Sequence, residues 1–281
     1  MTTTEQFLKD QSKPPMAKLN AQIIGHTVFT PPSREAEDGN LDMVFWPDEK
    51  NELDVPLGAR RQYDGQALAE FAGRACYQSF KKPNPRTASN KGYLGHILEV
   101  GHGSVLEHAS ITFYLTGLSR SCTHEIIRHR HFSFSELSQR YVDVAQAKYV
   151  LPPLFRQMYD DGREIPWYTT ATVNGIGKGA YRTLVEAAES YIAECHTDVS
   201  KTTARKLARE ASRAVMASMT ETRMVLTGNY RAWVYFLNAR DSEHADAEIR
   251  ELAQEIGSQL AGVAPNIFGE EARELWPSNG L

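Results

Sequence analysis

A period-two alternation of apolar and polar side chains runs over residues 110–116. Ile111, Phe113 and Leu115 fall on every second position, which is the pattern of a β-strand that buries one face. Soon afterwards comes the segment RHRHFSFSELSQR, residues 128–140, which combines cationic, hydroxyl and aromatic side chains. Its phenylalanines require burial and its arginines require water or anions, so we expect this segment at the boundary of a core.

The segment 128–140 is cationic, whereas the whole chain is acidic, with 31 Lys and Arg, 35 Asp and Glu, and a net charge of -4. Such a local excess of positive charge predicts an anion-binding site. Arg128, Arg130 and Arg140 each offer a planar fork of donors that matches two oxygens of a phosphate. Neutral donors for orienting a ligand are Ser133, Ser135, Ser138 and Gln139. We therefore expect one or two small, multiply charged ligands here.

Other interpretations of this segment remain open. An exposed basic run is often only a solvated surface, although the preceding Ile126 and Ile127 favour burial of one side. His124, His129 and His131 suggest a metal site, but flanking arginines would repel a divalent cation and no cysteine pair accompanies them, so we predict no metal. Arginines interleaved with aromatic residues also occur in nucleic-acid-binding proteins, but a pI of about 6.2 argues against that class.

Composition predicts an ordinary cytoplasmic protein. With 281 residues and 41% hydrophobic content, the chain can bury a core as one large domain or two small ones. No apolar run approaches the about 20 residues that cross a bilayer, and the first residues lack the basic-then-apolar order of a secretory signal. The three cysteines show no CxxC spacing, which fits a reducing compartment.

The first residues of the chain are polar and end near a Pro-Pro pair, and this composition distinguishes them from the rest of the chain. We divide the chain into a flexible arm (residues 1–18), one domain (residues 19–270) and a C-terminal tail (residues 271–281). No internal repeat or low-complexity segment interrupts the domain.

Hydrophobic periodicity and the positions of Gly and Pro predict the elements of this domain. Strands are expected at residues 22–29, 110–116 and 224–227. Helices are expected at residues 68–76, at 93–98 with Gly101 as the stop, from Ser119 through the cationic segment, and at 180–195, 202–216 and 245–263. Residues 33–60 and 152–179 are expected to be loop or connection. Because strands and helices do not alternate as a parallel sheet requires, we predict an α+β fold, a central, mostly antiparallel sheet flanked by long helices.

Gly175, Gly177 and Ala180 match the dinucleotide fingerprint G-x-G-x-x-A. A convincing buried strand does not precede it, and the helix after it leads to another helix rather than to a second strand. We therefore interpret these residues as the glycine-rich start of a helix, with Asn174 near the cap.

Several sequence blocks together resemble the flavin-dependent thymidylate synthases. Arg128-His129-Arg130 is followed after seven residues by Ser138, which matches the signature of that family. The other matching blocks are GHGSVLEH from Gly101, SRSCTHEIIRHRHFSFSELSQRY from Ser119, TETRMVLTGNYRAW from Thr220 and ARDSEHADAEIR from Ala239. They occur in the family's order across most of the chain.

The resemblance implies reductive methylation of dUMP to dTMP. Methylenetetrahydrofolate would supply the carbon unit, and NADPH would supply electrons through FAD. It also implies a homotetramer whose active sites lie between subunits. Neither nucleic acid nor membrane is expected as a partner.

The resemblance also assigns roles to individual residues. The expected flavin-binding residues are Ser104, Arg128, His129, Arg130, His131, Glu136, Asn229, Arg231 and Tyr235. The expected dUMP-binding residues are Glu125, Arg128, Glu136, Leu137, Ser138, Gln139, Arg140, Arg213 and Arg240. We expect Arg240 to activate the uracil ring, Ser138 to orient and polarise dUMP, and His102 to lie near flavin and folate.

Some positions depart from the family pattern. Ala217 stands where a proline is usual, so the loop after Arg213 is expected to turn differently. Glu125 replaces a common glutamine and brings a carboxylate near the nucleotide. Tyr235 replaces a polar flavin contact. Without the resemblance, Asn229 would be interpreted as a turn residue.

The residues also leave other functions open. A thymidylate synthase with a cysteine nucleophile, or another nucleotide-modifying flavoenzyme, is one alternative. Cys76 and Cys122 look like core sulfur atoms, and we assign all the cysteines, including Cys195, to packing. An RNA-binding module and a helical scaffold are alternatives from other classes. Taken alone, His244 and Glu248 would be a pair on a helix surface.

Overall fold

The computed structural model describes residues 16–30, 64–79 and 84–277. In this part of the chain, the strands are β1 (Asn20–His26), β2 (Ser110–Ser119), β3 (Phe132–Glu136) and β4 (Glu221–Asn229). They form a sheet in the order β1-β2-β4-β3. All neighbouring strands run antiparallel. The predicted long loop at residues 33–60 lies outside the described residues.

The described helices account for most of the remaining chain. They are α1 (Asp64–Tyr77), α2 (Asn90–Glu99), α3 (Arg120–Ile126), α4 (Pro153–Asp160), α5 (Ile165–Cys195), α6 (Lys201–Ser212), α7 (Tyr230–Arg240), α8 (Ala247–Val263), α9 (Pro265–Phe268) and α10 (Glu270–Arg273). Short 3₁₀ helices occur at Pro85–Thr87, Gly103–Glu107 and Arg213–Val215. This arrangement confirms the α+β prediction and its antiparallel sheet. No described helix combines the length and apolar character needed to cross a membrane.

The core lies between one face of the sheet and helices α7 and α8. Ile111, Phe113 and Leu115 of β2 are each 0% exposed, as their alternation predicted. Trp233 of α7 is also fully buried, and its ring lies 5.1 Å from that of Phe113. Because these side chains are large and apolar, their burial supplies much of the free energy that holds α7 on the sheet.

The prediction of a helix through the cationic segment is wrong beyond Ile126. Helix α3 ends there, and β3 follows and pairs with β4. The alternation of Phe132 and Phe134 with serines carried the period-two signal for a strand. Pairing with β4 prevails over helix propagation because it buries the Phe132 ring, which is 8% exposed.

The prediction that residues 152–179 form a connection is also wrong. They contain α4 and the first half of α5. Gly175 and Gly177 lie inside α5 rather than at its start, and Asn174 is buried at 2% exposure. Packing of Trp167, which is 1% exposed, offsets the cost of placing glycines in a helix.

Other boundaries differ modestly from the prediction. Strand β1 ends at His26, and β4 is longer than predicted at both ends. The helix α6 stops at Ser212, and a 3₁₀ turn follows.

Helix α7 was not predicted. Its start is marked by Asn229, whose Oδ1 accepts a hydrogen bond from the Ala232 N–H at 2.8 Å, so the Gly228-Asn229 pair opens a helix rather than a simple turn.

The described ends of the chain contact the core. Met16 forms an isolated bridge with Tyr149, and Ala17 N–H donates to the Tyr149 carbonyl at 2.8 Å. Near the other end, Trp276 Nε1 donates to the Ile267 carbonyl at 3.0 Å. The division into arm, domain and tail stays a prediction, since residues 1–15 and 278–281 lie outside the described residues.

Glu248 connects α8 to the start of α3. It accepts hydrogen bonds from the Ser119 backbone N–H at 2.8 Å and from Ser119 Oγ at 2.7 Å. Ser119 Oγ in turn accepts from the Cys122 N–H at 3.0 Å and caps α3. Burial raises the pKa of Glu248, and the bonds from Ser119 oppose that shift. Glu248 therefore does not form a helix-surface pair with His244, which precedes α8.

The fit between β3 and β4 predicts that Gly228→Ala destabilises the protein. Gly228 lies opposite Phe132, and a Cβ atom there would overlap the Phe132 ring. We expect the free energy of unfolding in urea to fall by about 1–3 kcal/mol. The matched change Gly262→Ala, in open space on α8, should raise it by up to about 1 kcal/mol. Equal effects of both changes would show that this contact is not tight.

Candidate active site

The predicted site residues form two groups at opposite ends of β3. The start cluster comprises Glu125, the loop 128–131 and Arg240, and it lies where β3 begins. The end cluster comprises Glu136, the loop 137–140 and Arg213, and it lies where β3 ends. Both clusters border the sheet that β3 shares with β4.

Arg240, the last residue of α7, is held at several points in the start cluster. Its Nε donates to His129 Nε2 at 2.9 Å. One Nη lies 3.2 Å from Glu125 Oε2, and the other donates to the Glu125 carbonyl at 3.4 Å. The Arg240 side chain is 17% exposed, so most of it is buried among these contacts.

His129 is buried beneath the exposed loop. It is 5% exposed, and its ring centroid lies 5.1 Å from that of Phe236 and 5.7 Å from that of Tyr235. Burial, with the charges of Arg240 and Arg128, lowers the pKa of His129 to about 4, against the opposing effect of Glu125. The ring is therefore neutral at pH 7. Because Nε2 accepts from Arg240, the ring proton is on Nδ1, which is buried without a hydrogen-bond partner.

The other side chains of this loop face outward. Arg130 and His131 are exposed, and the Arg128 side chain is 67% exposed. Arg128 Nη1 lies 3.3 Å from Glu125 Oε2, so the Glu125 carboxylate bridges Arg128 and Arg240. An ion pair this exposed is weak, which leaves Arg128 able to bind an anionic ligand.

The sheet brings more of the expected flavin residues to this end. Phe132 pairs with Gly228, so the loop 128–131 adjoins Asn229 and the start of α7. Arg231 Nη1 lies 2.6 Å from Glu107 Oε1, which connects α7 to the 3₁₀ helix that contains Ser104. His102 and Ser104 are exposed. Tyr235, 49% exposed, lies one turn further along α7.

Glu136 is anchored through one carboxylate oxygen. Its Oε1 lies 2.6 Å from Arg120 Nη1 and accepts from Thr123 Oγ1 at 3.0 Å and from Thr222 Oγ1 at 3.1 Å. Thr123 is 2% exposed and Thr222 is 0% exposed. Because three groups contact this one oxygen, the carboxylate is held in one orientation.

The loop after β3 is held against β4 and α6. Leu137 N–H donates to the Arg223 carbonyl at 2.9 Å, and Gln139 is 6% exposed. Arg140 Nε lies 2.6 Å from Glu210 Oε2 of α6. Ser138 Oγ accepts from the Arg140 N–H at 3.4 Å. Arg213 is partly buried at the end of α6, where the chain makes a 3₁₀ turn and then extends at Met216 without the usual proline.

The sequence did not indicate the residues that hold these side chains. Arg120, Thr123 and Thr222 contact Glu136, and Glu210 contacts Arg140. Arg120 and Thr123 lie on α3 within a block already singled out, so their position near the cluster was a usable signal. Thr222 lies in the block that begins at Thr220 and carried the same signal, whereas Glu210 carried none, because its contact comes from another helix.

The two clusters are centred on opposite ends of β3. Four residue steps separate Phe132 from Glu136, and at about 3.3 Å per residue that is roughly 13 Å. Arg240 and Arg140 were both assigned to dUMP, yet they lie at opposite ends of this strand. The two arginines therefore approach a ligand from opposite ends of β3.

One of the three cysteines has the predicted environment, and two do not. Cys122 is buried, as expected, and burial raises its pKa, which disfavours a thiolate. Cys76 and Cys195 are exposed, so their assignment to packing is wrong for this chain. Cys76 lies near the C-terminal end of α1, and no residue of α5 after Tyr181 is buried. The described residues include no group of three or more His, Cys, Asp or Glu side chains suited to a metal ion.

Comparisons with known proteins identify the family of this chain. A family model described as "Thymidylate synthase complementing protein" matches residues 60–266. The flavin-dependent thymidylate synthase of Mycolicibacterium gilvum (strain PYR-GCK) is 49% identical over 255 residues, which cover 91% of this chain and 90% of the relative. That of Mycobacteroides abscessus (strain ATCC 19977) is 56% identical over 206 residues, 73% of this chain and 79% of the relative.

A solved structure shares the fold. The UMP/dUMP methylase PolB from Streptomyces cacaoi, bound with 5-Br dUMP, aligns with a TM-score of 0.61 at 17% identity and covers 92% of this chain and 96% of that chain. The chain belongs to the thymidylate synthase complementing protein family, and it is an enzyme.

The buried His129 predicts a pH dependence of stability. Unfolding returns the pKa of this histidine from about 4 to about 6.5, so between these values the unfolded chain binds more protons and stability falls as the pH falls. His129→Gln, which cannot titrate, should lose this contribution of roughly 1–2 kcal/mol between pH 7 and pH 5. Urea unfolding of both proteins at these pH values measures it. Parallel pH profiles would contradict a buried neutral histidine.

Proposed function

We propose that the enzyme methylates dUMP reductively to dTMP. Methylenetetrahydrofolate supplies the carbon, and NADPH supplies electrons through FAD. The observation that carries this proposal is the Arg240 guanidinium, which is held by His129 and Glu125 in a side chain that is 17% exposed. The names of the relatives at about half identity support the same reaction.

Arg240 suits activation of a uracil ring. Carbon 5 of uracil becomes nucleophilic only when negative charge accumulates on the ring and its oxygens. A guanidinium that is already oriented stabilises this charge as it develops, without reorganisation during the reaction. Glu125 reduces the local positive charge, and the nearby Arg128 offsets that reduction.

The start cluster fits the phosphates of FAD. Arg128, Arg130 and His131 are exposed on one loop, and Arg231 and Ser104 adjoin it across the sheet. This density of cationic and hydroxyl donors is suited to a ligand with two phosphates. FAD, when bound, transfers the reducing electrons of NADPH. We assign His102, exposed beside Ser104, to the contact with flavin and folate.

The end cluster fits the phosphate and sugar of dUMP. Arg140 and Arg213 supply charge, Ser138 and Gln139 supply neutral donors, and Glu210 holds Arg140 until an anion competes for it. Ser138 has no histidine partner among its recorded contacts and is assigned to orienting dUMP rather than attacking it.

In this proposal the active site lies between subunits. If one subunit supplies the start cluster and another the end cluster, a nucleotide could contact both arginine groups. Helix α5 offers a surface for a homotetramer, since Val173, Ile176 and Leu184 are exposed on it at 48%, 68% and 43%. We place this tetramer in the cytoplasm, where three free cysteines fit the reducing conditions.

The first test is reconstitution with FAD. We expect the purified protein to bind FAD noncovalently, to turn yellow, and to oxidise NADPH faster when dUMP is present, because the nucleotide completes a shared pocket. Liquid chromatography should detect dTMP when methylenetetrahydrofolate is added. Protein that stays colourless with excess FAD and forms no dTMP would refute the proposed function.

The second test separates binding from activation. Arg140→Ala and Arg213→Ala should raise the Kd for dUMP by about one to two decades and leave FAD bound, since each removes a charge-assisted contact. Arg240→Ala should lower turnover more than dUMP binding. The control Arg205→Ala changes an exposed arginine of α6 that lies 3.8 Å from Glu189. Equal, mild effects of all the site changes would show that the division of roles is wrong.

A further inference from the structure

His129 differs from its neighbours in the loop 128–131. The side chains of Arg128, Arg130 and His131 face solvent, whereas His129 is 5% exposed and lies against Phe132, Tyr235 and Phe236. Its recorded polar contact is Nε2 with the Nε of Arg240. The buried ring is thus turned toward an arginine of the same chain rather than toward solvent.

We propose that His129 is a positioning residue for Arg240, because its neutral Nε2 accepts the Nε proton and fixes the plane of the guanidinium. This inference rests on the proposed function, which makes Arg240 the group that stabilises charge on the uracil ring. It assigns His129 a role through Arg240, distinct from direct contact with a ligand.

The contacts of Arg240 explain why one acceptor has this effect. A guanidinium has five N–H donors in one plane. His129 engages the Nε donor, and Glu125 engages one donor on each Nη, so contacts on three nitrogens define the plane and its rotation. In the proposed function, the remaining Nη donors are the ones that would meet the uracil oxygens. Without His129, the Nε donor is left unsatisfied and the side chain gains rotational freedom, which harms a transition-state contact more than ground-state binding.

The surroundings of His129 keep it able to accept. An imidazolium would have a proton on both nitrogens and would repel Arg240 instead of accepting from it. The aromatic rings of Tyr235 and Phe236 exclude water from the imidazole, and Arg128 adds a second positive charge nearby. These features favour the neutral ring. Glu125, the one carboxylate among these groups, also contacts both arginines directly.

The test compares side chains that place an acceptor at different points. Glutamine positions Oε1 near the place of Nε2, asparagine reaches only as far as Nδ1, and leucine has no acceptor. We expect turnover of the FAD-loaded enzyme to fall about 10- to 100-fold in His129→Leu and His129→Asn, with little change in bound FAD or in the Kd for dUMP. His129→Gln should recover turnover to within about fivefold of the wild type. If the leucine variant does not fold, the asparagine variant provides the comparison.

A readout without activity tests the contact itself. In ¹⁵N-arginine-labelled protein, the Nε–H signal that disappears in Arg240→Lys belongs to Arg240. It should shift strongly in His129→Asn and weakly in His129→Gln. The control His96→Leu changes an exposed histidine of α2, 3.9 Å from Glu99, and should leave this signal and turnover unchanged.

A double-mutant cycle decides whether His129 acts through Arg240. In an Arg240→Lys background, adding His129→Asn should change turnover less than twofold, since the Nε donor is gone. Equal loss in the glutamine and asparagine variants, loss of FAD in both, or full additivity with Arg240→Lys would overturn the inference. If wild-type protein makes no dTMP, the proposed function fails, and the NMR result still tests the contact between His129 and Arg240.

Discussion

The burial of Phe132 is the interaction on which both clusters depend. Its ring lies 4.5 Å from that of Trp233 and occupies the space that Gly228 leaves free on β4. This contact fixes the register of β3 against β4, and therefore the positions of the loops before and after β3. A one-residue slip would turn the phenylalanines to solvent and move every cationic side chain to another place. A core aromatic residue thus determines the geometry of a polar site.

Carboxylates accompany the arginines that face the site. Arg240 contacts Glu125, Arg120 contacts Glu136, and Arg140 contacts Glu210. In these pairs, carboxylates of an acidic chain lie next to the arginines and partly neutralise their charge. They are partly exposed, so each contributes little to stability. The arrangement keeps the guanidinium groups oriented before a ligand binds, which lowers the entropic cost of binding.

Much of the fold followed from local patterns, and the failures have identifiable physical causes. The alternation at Ile111, Phe113 and Leu115 correctly predicted a half-buried strand. The period-two signal at Phe132 and Phe134 was equally present but was hidden by the basic residues around it. In α5, glycines and threonines suggested a connection, because local propensity does not include the packing of Trp167 that stabilises the helix. Exposure of Cys76 and Cys195 depended on how much of each helix the core covers, which is a tertiary property.

The sequence by itself determined the chemical groups of the site: the arginines and serines of the segment 128–140 and the order of the motifs. It also determined the α+β class, because strand and helix periods are local properties of the chain. Only the tertiary structure decided which of these groups meet. Arg240 joins His129 and Glu125 through contacts across more than a hundred residues, and Arg140 is held apart at the far end of β3. Such contacts depend on strand pairing and helix docking, which burial of distant side chains sets and local sequence does not encode.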